Sequence, residues 1–186
     1  MAHSTITDAE LLNRATEVFR TYGFDGASLS RLSAATGLEK ASLYHRFPGG
    51  KDQIAMAVAV GVLAWFQQHI FDPLKSTDTP QKKVRHMVEK LREFYADGTK
   101  SCAMDVLSVG GGNEELAGAL KFALHAWLKS FQDVAREFGF TVAEARRRAE
   151  QAVIQIEGSL ILSRVLGDNK PFRHTLDALP ALLTAA

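Results

Sequence analysis

The sequence predicts an all-α protein of about nine helices. Apolar residues recur at three- and four-residue spacing between turn signals along nearly the whole chain. No stretch alternates polar and apolar residues as a half-buried strand would. Hydrophobic residues make up 46% of the chain and the net charge is +1, so the low hydrophobicity and high charge of a disordered chain are both absent.

The first helix opens at Thr7-Asp8-Ala9-Glu10, which has capping-box spacing, and sets Leu11, Ala15, Val18, Phe19 and Tyr22 on one stripe before Gly23 ends it. Ser28 caps a short helix through residue 35, Thr36-Gly37-Leu38 turns, and a second short helix runs from 39 or 40 to 47. Pro48-Gly49-Gly50 breaks the chain, and a long helix follows from about 51 to about 71, stopped by Asp72-Pro73. Its apolar run, 54–66, is thirteen residues long. A membrane span needs ~20 apolar residues, so a buried helix is expected there and no membrane partner.

Thr79-Pro80 places a cap before a proline at the first helical position, for a helix to about 97. Residues 101–109 form a short helix ended by Gly110-Gly111-Gly112. Asn113 caps a long helix to 138, with Leu116, Leu120, Ala123, Trp127, Phe131 and Val134 on its stripe. Thr141-Val142-Ala143-Glu144 is a second capping box, for a helix to about 166. Residues 172–183 form a last amphipathic segment, interrupted by Pro180. The short helices of 1–50 and the longer, more apolar helices of 51–186 are read as two domains that meet at Pro48-Gly49-Gly50.

Several function classes are disfavoured. Cys102 is the one cysteine, which excludes a disulfide framework and a Cys-rich zinc site. The six histidines are scattered, and no G-x-G-x-x-G, G-K-[ST], G-x-S-x-G or H-E-x-x-H occurs. No enzyme, cofactor or metal is therefore expected. Residues 1–10 have no apolar signal-peptide core, so a cytoplasmic chain is expected. Cys102, two residues after Lys100 at a helix start, allows a redox-sensor reading. The commoner role of a lone cysteine is that of a small buried hydrophobe.

The segment with specific content is 28–47, SLSRLSAATGLEKASLYHRF. A helix-turn-helix needs two helices crossing over a short turn, with a small residue where they touch. Ser33 is small, Gly37 suits the turn, and Leu29, Leu32, Leu38, Leu43 and Phe47 supply the apolar packing. The other face of the second helix presents Lys40, Ala41, Ser42, Tyr44, His45 and Arg46. That face is short, polar and small at its amino-terminal end, as entry into a major groove ~12 Å wide requires. Between Thr36 and Lys51, Lys40, Arg46 and Lys51 outnumber Glu39 by two charges. The bland alternative is a helical hairpin with a solvated face.

Residues Ala15, Val18-Phe19, Tyr22-Gly23-Phe24, Ser28-Leu29, Leu32, Thr36-Gly37-Leu38, Leu43-Tyr44-His45-Arg46-Phe47 and Lys51, in that order and spacing, resemble the amino-terminal domain of the tetracycline-repressor (TetR) family. Phe47-Pro48-Gly49-Gly50-Lys51 is one residue longer than the family's common link, and looks like the LmrA/YxaF-like subgroup. The segment 156–164, IEGSLILSR, also looks like that subgroup's penultimate helix. Ser33 stands where the family usually has alanine. The resemblance implies a homodimeric one-component regulator. Its amino-terminal helices bind a palindromic double-stranded DNA operator, and its carboxy-terminal domain binds a small-molecule effector. The two compete through the long helix that starts near Lys51.

Within that frame Lys40, Ala41 and Ser42 start the recognition helix, where base edges are reached first, and His45 shares their face. Leu43 occupies the core row, and the resemblance places Tyr44 on the DNA backbone. Lys51 could pair with phosphate or be a solvated cap charge, and Ser28 could meet phosphate while capping its helix. Phe94, Met104, Phe122, His125, Trp127 and Phe131 could pack as core or line an apolar effector cavity. Glu157, among apolar neighbours, could bind a ligand cation or pair with an arginine across a helix. A neutral or cationic aromatic effector suits this set. Gly158 and Ser159 suit close helix crossing, and 153–166 with Phe172, Leu176, Leu179 and Leu183 are expected to form a dimer interface. The alternatives are a small helical enzyme or carrier using the same cavity, and a structural dimerisation module.

Overall fold

A computed structural model describes residues 6–110 and 112–185. Residues 1–5, Gly111 and Ala186 lie outside them, including part of the segment read for a signal peptide and the middle of the triglycine break. The described residues form helices and no strand, so the all-α class is observed as expected. The helices are α1 (Asp8–Gly26), α2 (Leu29–Thr36), α3 (Lys40–Arg46), α4 (Gly50–Leu74), α5 (Pro80–Phe94), α6 (Ala103–Ser108), α7 (Glu114–Phe138), α8 (Val142–Leu166) and α9 (Lys170–Thr184).

Local chemistry sets their ends. The hydroxyls of Thr7 and Thr141 accept from the backbone N–H of Glu10 and Glu144, each at 3.2 Å. The Asn113 side chain does the same for Leu116 at 2.9 Å. Each satisfies a donor that the first helical turn leaves orphaned. Thr79 makes no such bond.

Two expected breaks do not occur. Asp72-Pro73 does not stop α4. Residues Gln67–Phe71 take a π-helical turn, and the helix continues through Pro73 to Leu74. A proline ring normally clashes with the carbonyl four residues before it, and the wider π-turn relieves that clash. Pro180 likewise lies inside α9 without interrupting it. Phe172, Leu176, Leu179 and Leu183, all fully buried, hold α9 against α8 and α5 on both sides of the proline. This also corrects the expected dimer surface, because the α9 stripe is spent inside the protomer.

The chain divides into two compact units, the first holding 6–63 and 103–121, the second 64–102 and 122–185. In the first, Leu11, Ala15 and Phe19 of α1 meet Leu32, Leu43, Ile54 and Val58, with Leu107 of α6 and Leu116 of α7 completing the core. In the second, α9 packs on α5 and α8. Rings form a chain through it: Trp65 against Phe94, Phe94 against Phe66, and Phe66 edge-on to Trp127.

A tight corner follows α5. Ala96, Asp97 and Gly98 all have positive φ, at 45°, 56° and 92°. The Asp97 carboxylate accepts from Arg92 at 2.9 Å and from Arg173, and the Asn169 amide donates to the Asp97 carbonyl at 2.9 Å. Gly98 lies under Phe172, whose Cβ would sit 2.8 Å from a Cβ at position 98. Gly98→Ala combines left-handed strain with overpacking against an immobile ring. The expected loss is about 2–5 kcal/mol, read as a lower Tm in a thermal melt.

The Arg173 guanidinium, with Arg92 behind it, holds the Asp97 carboxyl below the usual carboxylate range, against the opposing effect of desolvation. A depressed folded pKa adds stability that is complete above the unfolded pKa and is lost as pH falls through the folded one. Asp97→Asn is therefore expected to lower Tm at neutral pH. The gap from wild type should close as the buffer is taken below the carboxylate range. A gap that stays constant with pH would remove the ion pairs as its cause.

Candidate nucleic-acid interface

Helices α2 and α3 meet at a fully satisfied turn. Gly37 adopts φ +72° and ends α2. The Thr36 hydroxyl donates to the Leu32 carbonyl at 2.8 Å. The Ser33 hydroxyl donates to the Leu38 carbonyl at 2.6 Å, across the turn. Ser33 therefore does more than stay small: it ties the second helix's entry to the first, a role that an alanine could not fill and that sequence spacing did not reveal. Ser28 caps α2 by accepting from the Arg31 N–H at 3.3 Å, and its residue remains exposed.

Leu43 is buried, and it anchors α3 so that the opposite face looks outward. Lys40, Ala41, Ser42, Tyr44 and His45 are all exposed, with the Tyr44 side of the helix open by half. The structure thus brings five of the seven expected DNA-facing residues onto one short, solvent-facing helix, with Ser28 exposed at the start of α2. Arg46 is drawn away: it donates to Asp8 and to the Ile6 carbonyl, each at 3.2 Å. Lys51 is also engaged internally. Its ammonium donates to the Phe24 carbonyl at 3.0 Å and lies 4.2 Å from the centre of the Phe24 ring. Lys51 thereby pins the turn after α1, a contact that only the fold creates.

The residues expected around an effector fall in both units. Phe94, Trp127 and Phe131 lie in the second unit and join through Phe66: Phe66 is 5.0 Å from Phe94 and 5.3 Å from Trp127, which is 5.9 Å from Phe131. Met104 falls in the first unit. Phe122, 65% exposed, and the exposed His125 lie on the outer side of α7 and do not enclose a cavity within this chain. At ~100° per residue, Trp127, Phe131 and Val134 point inward while 122, 125 and 129 point away. Glu157 is half-buried on α8, with one carboxylate oxygen out of reach of water. Cys102 is buried, its sulfur 3.6 Å from the Tyr95 hydroxyl. Among the described residues no group of three His, Cys, Asp or Glu side chains could hold a metal ion.

Family profiles match both halves. Residues 11–58 match "Bacterial regulatory proteins, tetR family", and residues 80–178 match "Transcriptional regulator LmrA/YxaF-like, C-terminal domain". The chain belongs to the TetR family. It is similar to the HTH-type transcriptional regulator LmrA of Bacillus subtilis (strain 168), 25% identical over 183 residues and covering 94% of this chain and 95% of that protein. Among solved structures, a TetR regulator from Legionella pneumophila superposes with a TM-score of 0.85 at 16% identity, covering 97% of this chain and 99% of that one. The TetR-family regulator CifR, a cysteine mutant complexed with 26bp double-strand operator DNA, superposes with a TM-score of 0.76 at 19% identity, over 97% and 99%. These likenesses show the TetR fold.

By length and composition alone, α4 could cross a bilayer, although its apolar run is shorter than a span. Ile54, Ala55, Val58, Phe66, Ile70, Phe71 and Leu74 along it are buried within the protein.

Proposed function

We propose that this TetR-family chain is a cytoplasmic, ligand-responsive repressor of the LmrA/YxaF-like subgroup, which binds a palindromic operator as a homodimer and is released by a small molecule. The observation that carries the reading is α3. It is seven residues long, anchored by buried Leu43, with Lys40, Ala41, Ser42, Tyr44 and His45 all facing solvent. A solvated hairpin needs no such matched set of small, hydrogen-bonding and basic side chains on one face. In this reading Lys40, Ala41, Ser42 and His45 meet bases, Tyr44 and Ser28 meet phosphate, and Lys51 holds the head's first turn. Residues 1–50 act as the reading head and 51–186 as the effector and dimer part. The tests are a gel shift with the intergenic DNA flanking the gene and its reversal by effector. Failure to shift any such fragment at low salt overturns the reading in favour of a carrier or enzyme.

The dimer rests on α8. Ile154, Ile161, Leu162 and Val165 share one of its faces at 43 to 74% exposure, with Gly158 among them. The outward side of α9 carries His174, Ala178 and Ala181, mostly small residues beside which a partner's helix can lie close. Two-fold pairing of these faces hides the apolar stripe, and its symmetry matches a palindrome.

An effector releases DNA only through its unequal affinity for the DNA-competent and DNA-incompetent arrangements. Helix α4, from Gly50 to Leu74, contributes residues to both units. It is the proposed lever. Phe94, Trp127, Phe131 and Glu157 are the proposed effector-side residues.

A further inference from the structure

Trp127 carries a buried polar atom that its own fold does not use. The residue is 2% exposed, and its indole Nε1 finds no hydrogen-bond partner among the described residues. Tyrosine and tryptophan normally pair their polar atom when buried. Phenylalanine would fill much of the same space without leaving a donor unpaired, so packing alone does not account for an indole here. The rings around it are apolar. Phe66 and Phe131 stand edge-on to it, at interplanar angles of 66° and 82°. Phe66 and Trp65 open directly into the π-helical turn of α4, Gln67–Phe71, a distortion that recurs at functional sites.

We infer that the Trp127 indole N–H is the group that reads the effector, and that the effector is a neutral, apolar ring compound bearing one strong hydrogen-bond acceptor. The inference rests on the proposed effector-binding role of the second unit and deepens it. The acceptor pairs the orphaned donor, and the hydrocarbon part packs on the rings of Phe66, Phe94 and Phe131. An anionic effector is disfavoured by the electronegative ring faces, and a cation would bring the indole N–H no acceptor to pair with.

The test uses the full chain and a matched pair of probes, 9-fluorenone and fluorene, which differ by one carbonyl. Titration followed by calorimetry is expected to show fluorenone binding wild type at least tenfold more tightly than fluorene, and Trp127→Phe binding the two alike. Equal binding of both probes by wild type, binding of neither, or a preference that survives in a folded Trp127→Phe overturns the inference. If Trp127→Phe fails to fold, wild type still decides. The chain has two tryptophans, so 15N-tryptophan labelling gives two indole N–H resonances, assigned with Trp65→Phe. Fluorenone should shift the Trp127 resonance downfield and fluorene should not, and an unmoved resonance overturns the assignment. The wild-type gel shift is read separately. A chain that shifts DNA but ignores the carbonyl loses this inference alone, whereas one that shifts no DNA loses the regulator reading.

Discussion

Replacing Lys40 with alanine and Tyr44 with phenylalanine is expected to weaken operator binding by at least ~100-fold while leaving helix content and dimer mass unchanged. Both side chains are exposed, and α3 is held to the protomer by buried Leu43 and by the bonds from Arg46 to Asp8 and the Ile6 carbonyl. In the proposed complex, losing the Tyr44 hydroxyl removes a charge-assisted bond to phosphate, worth about 1.5–3 kcal/mol, or roughly tenfold or more. Losing the Lys40 ammonium removes one cation per protomer. Because Lys40 is proposed to meet a base edge and not a phosphate, the slope of log affinity against log salt should stay close to that of wild type. The salt slope separates the roles. If Lys40→Ala weakens binding yet leaves the slope unchanged, Lys40 reads a base and does not neutralise a phosphate. If the double variant binds as wild type does, α3 is not the helix in the groove. Lys51→Ala should behave differently, because its ammonium is committed to Phe24. It should lower Tm along with DNA affinity, with little change of slope.

Gly158→Leu is expected to turn a dimer into a monomer without unfolding the protomer. A Cβ at position 158 meets nothing within 4 Å in the protomer. Leucine replaces glycine inside a helix at a gain of nearly 1 kcal/mol in propensity. The same side chain projects from the exposed face that carries Ile154, Ile161, Leu162 and Val165, where a partner helix would have to approach. Val165→Asp makes the complementary test. Val165 is 74% exposed, so the charge costs the protomer little, whereas burying it unpaired in an interface costs several kcal/mol. Sedimentation should give a dimer for wild type at micromolar concentration and monomers for both variants. Operator affinity should fall by two orders of magnitude or more, because the second half-site is no longer engaged intramolecularly. A monomeric wild type would refute the interface, as would a Val165→Asp protein that remains dimeric.

What could be read from the residues was what local chemistry controls. A capping hydroxyl and the N–H it satisfies are three residues apart, as in Thr7 with Glu10 and Thr141 with Glu144, so the sequence shows both partners at once. The turn at Gly37 and the inward face of α3 follow from spacings of four residues or fewer, so the helix-turn-helix was legible before any coordinates. The same limit explains the misplaced breaks. Proline's local preference pointed to stops at Pro73 and Pro180, but a π-turn and the packing of the α9 stripe on α5 and α8 outweighed it.

The candidate site shows the division more sharply. That Lys40, Ser42, Tyr44 and His45 share a face is helical geometry. That Lys51 turns to Phe24, 27 residues away, and Arg46 to Asp8, 38 residues away, is not. Nor could the sequence say that Ser33 would bridge to Leu38, since a small residue at a crossing suggests packing before bonding. On α7 the stripe already separated Trp127 and Phe131 from Phe122 and His125, although all four were candidates for an effector. The fold supplied what the stripe meets: Trp127 and Phe131 join the rings of the second unit, while Phe122 and His125 face solvent. Likewise two apolar stripes, on α8 and α9, competed for burial. The stripe of α9 found α5 and α8 within its own chain, and α8 buried Val153, Ile156 and Leu160 while its second apolar face, with Ile154 and Val165, was left exposed. Backbone caps and turns are settled within one turn of helix, so the sequence by itself places the helix starts to within about two residues. Which face is buried depends on what another part of the chain brings to it, and only the tertiary structure decides that.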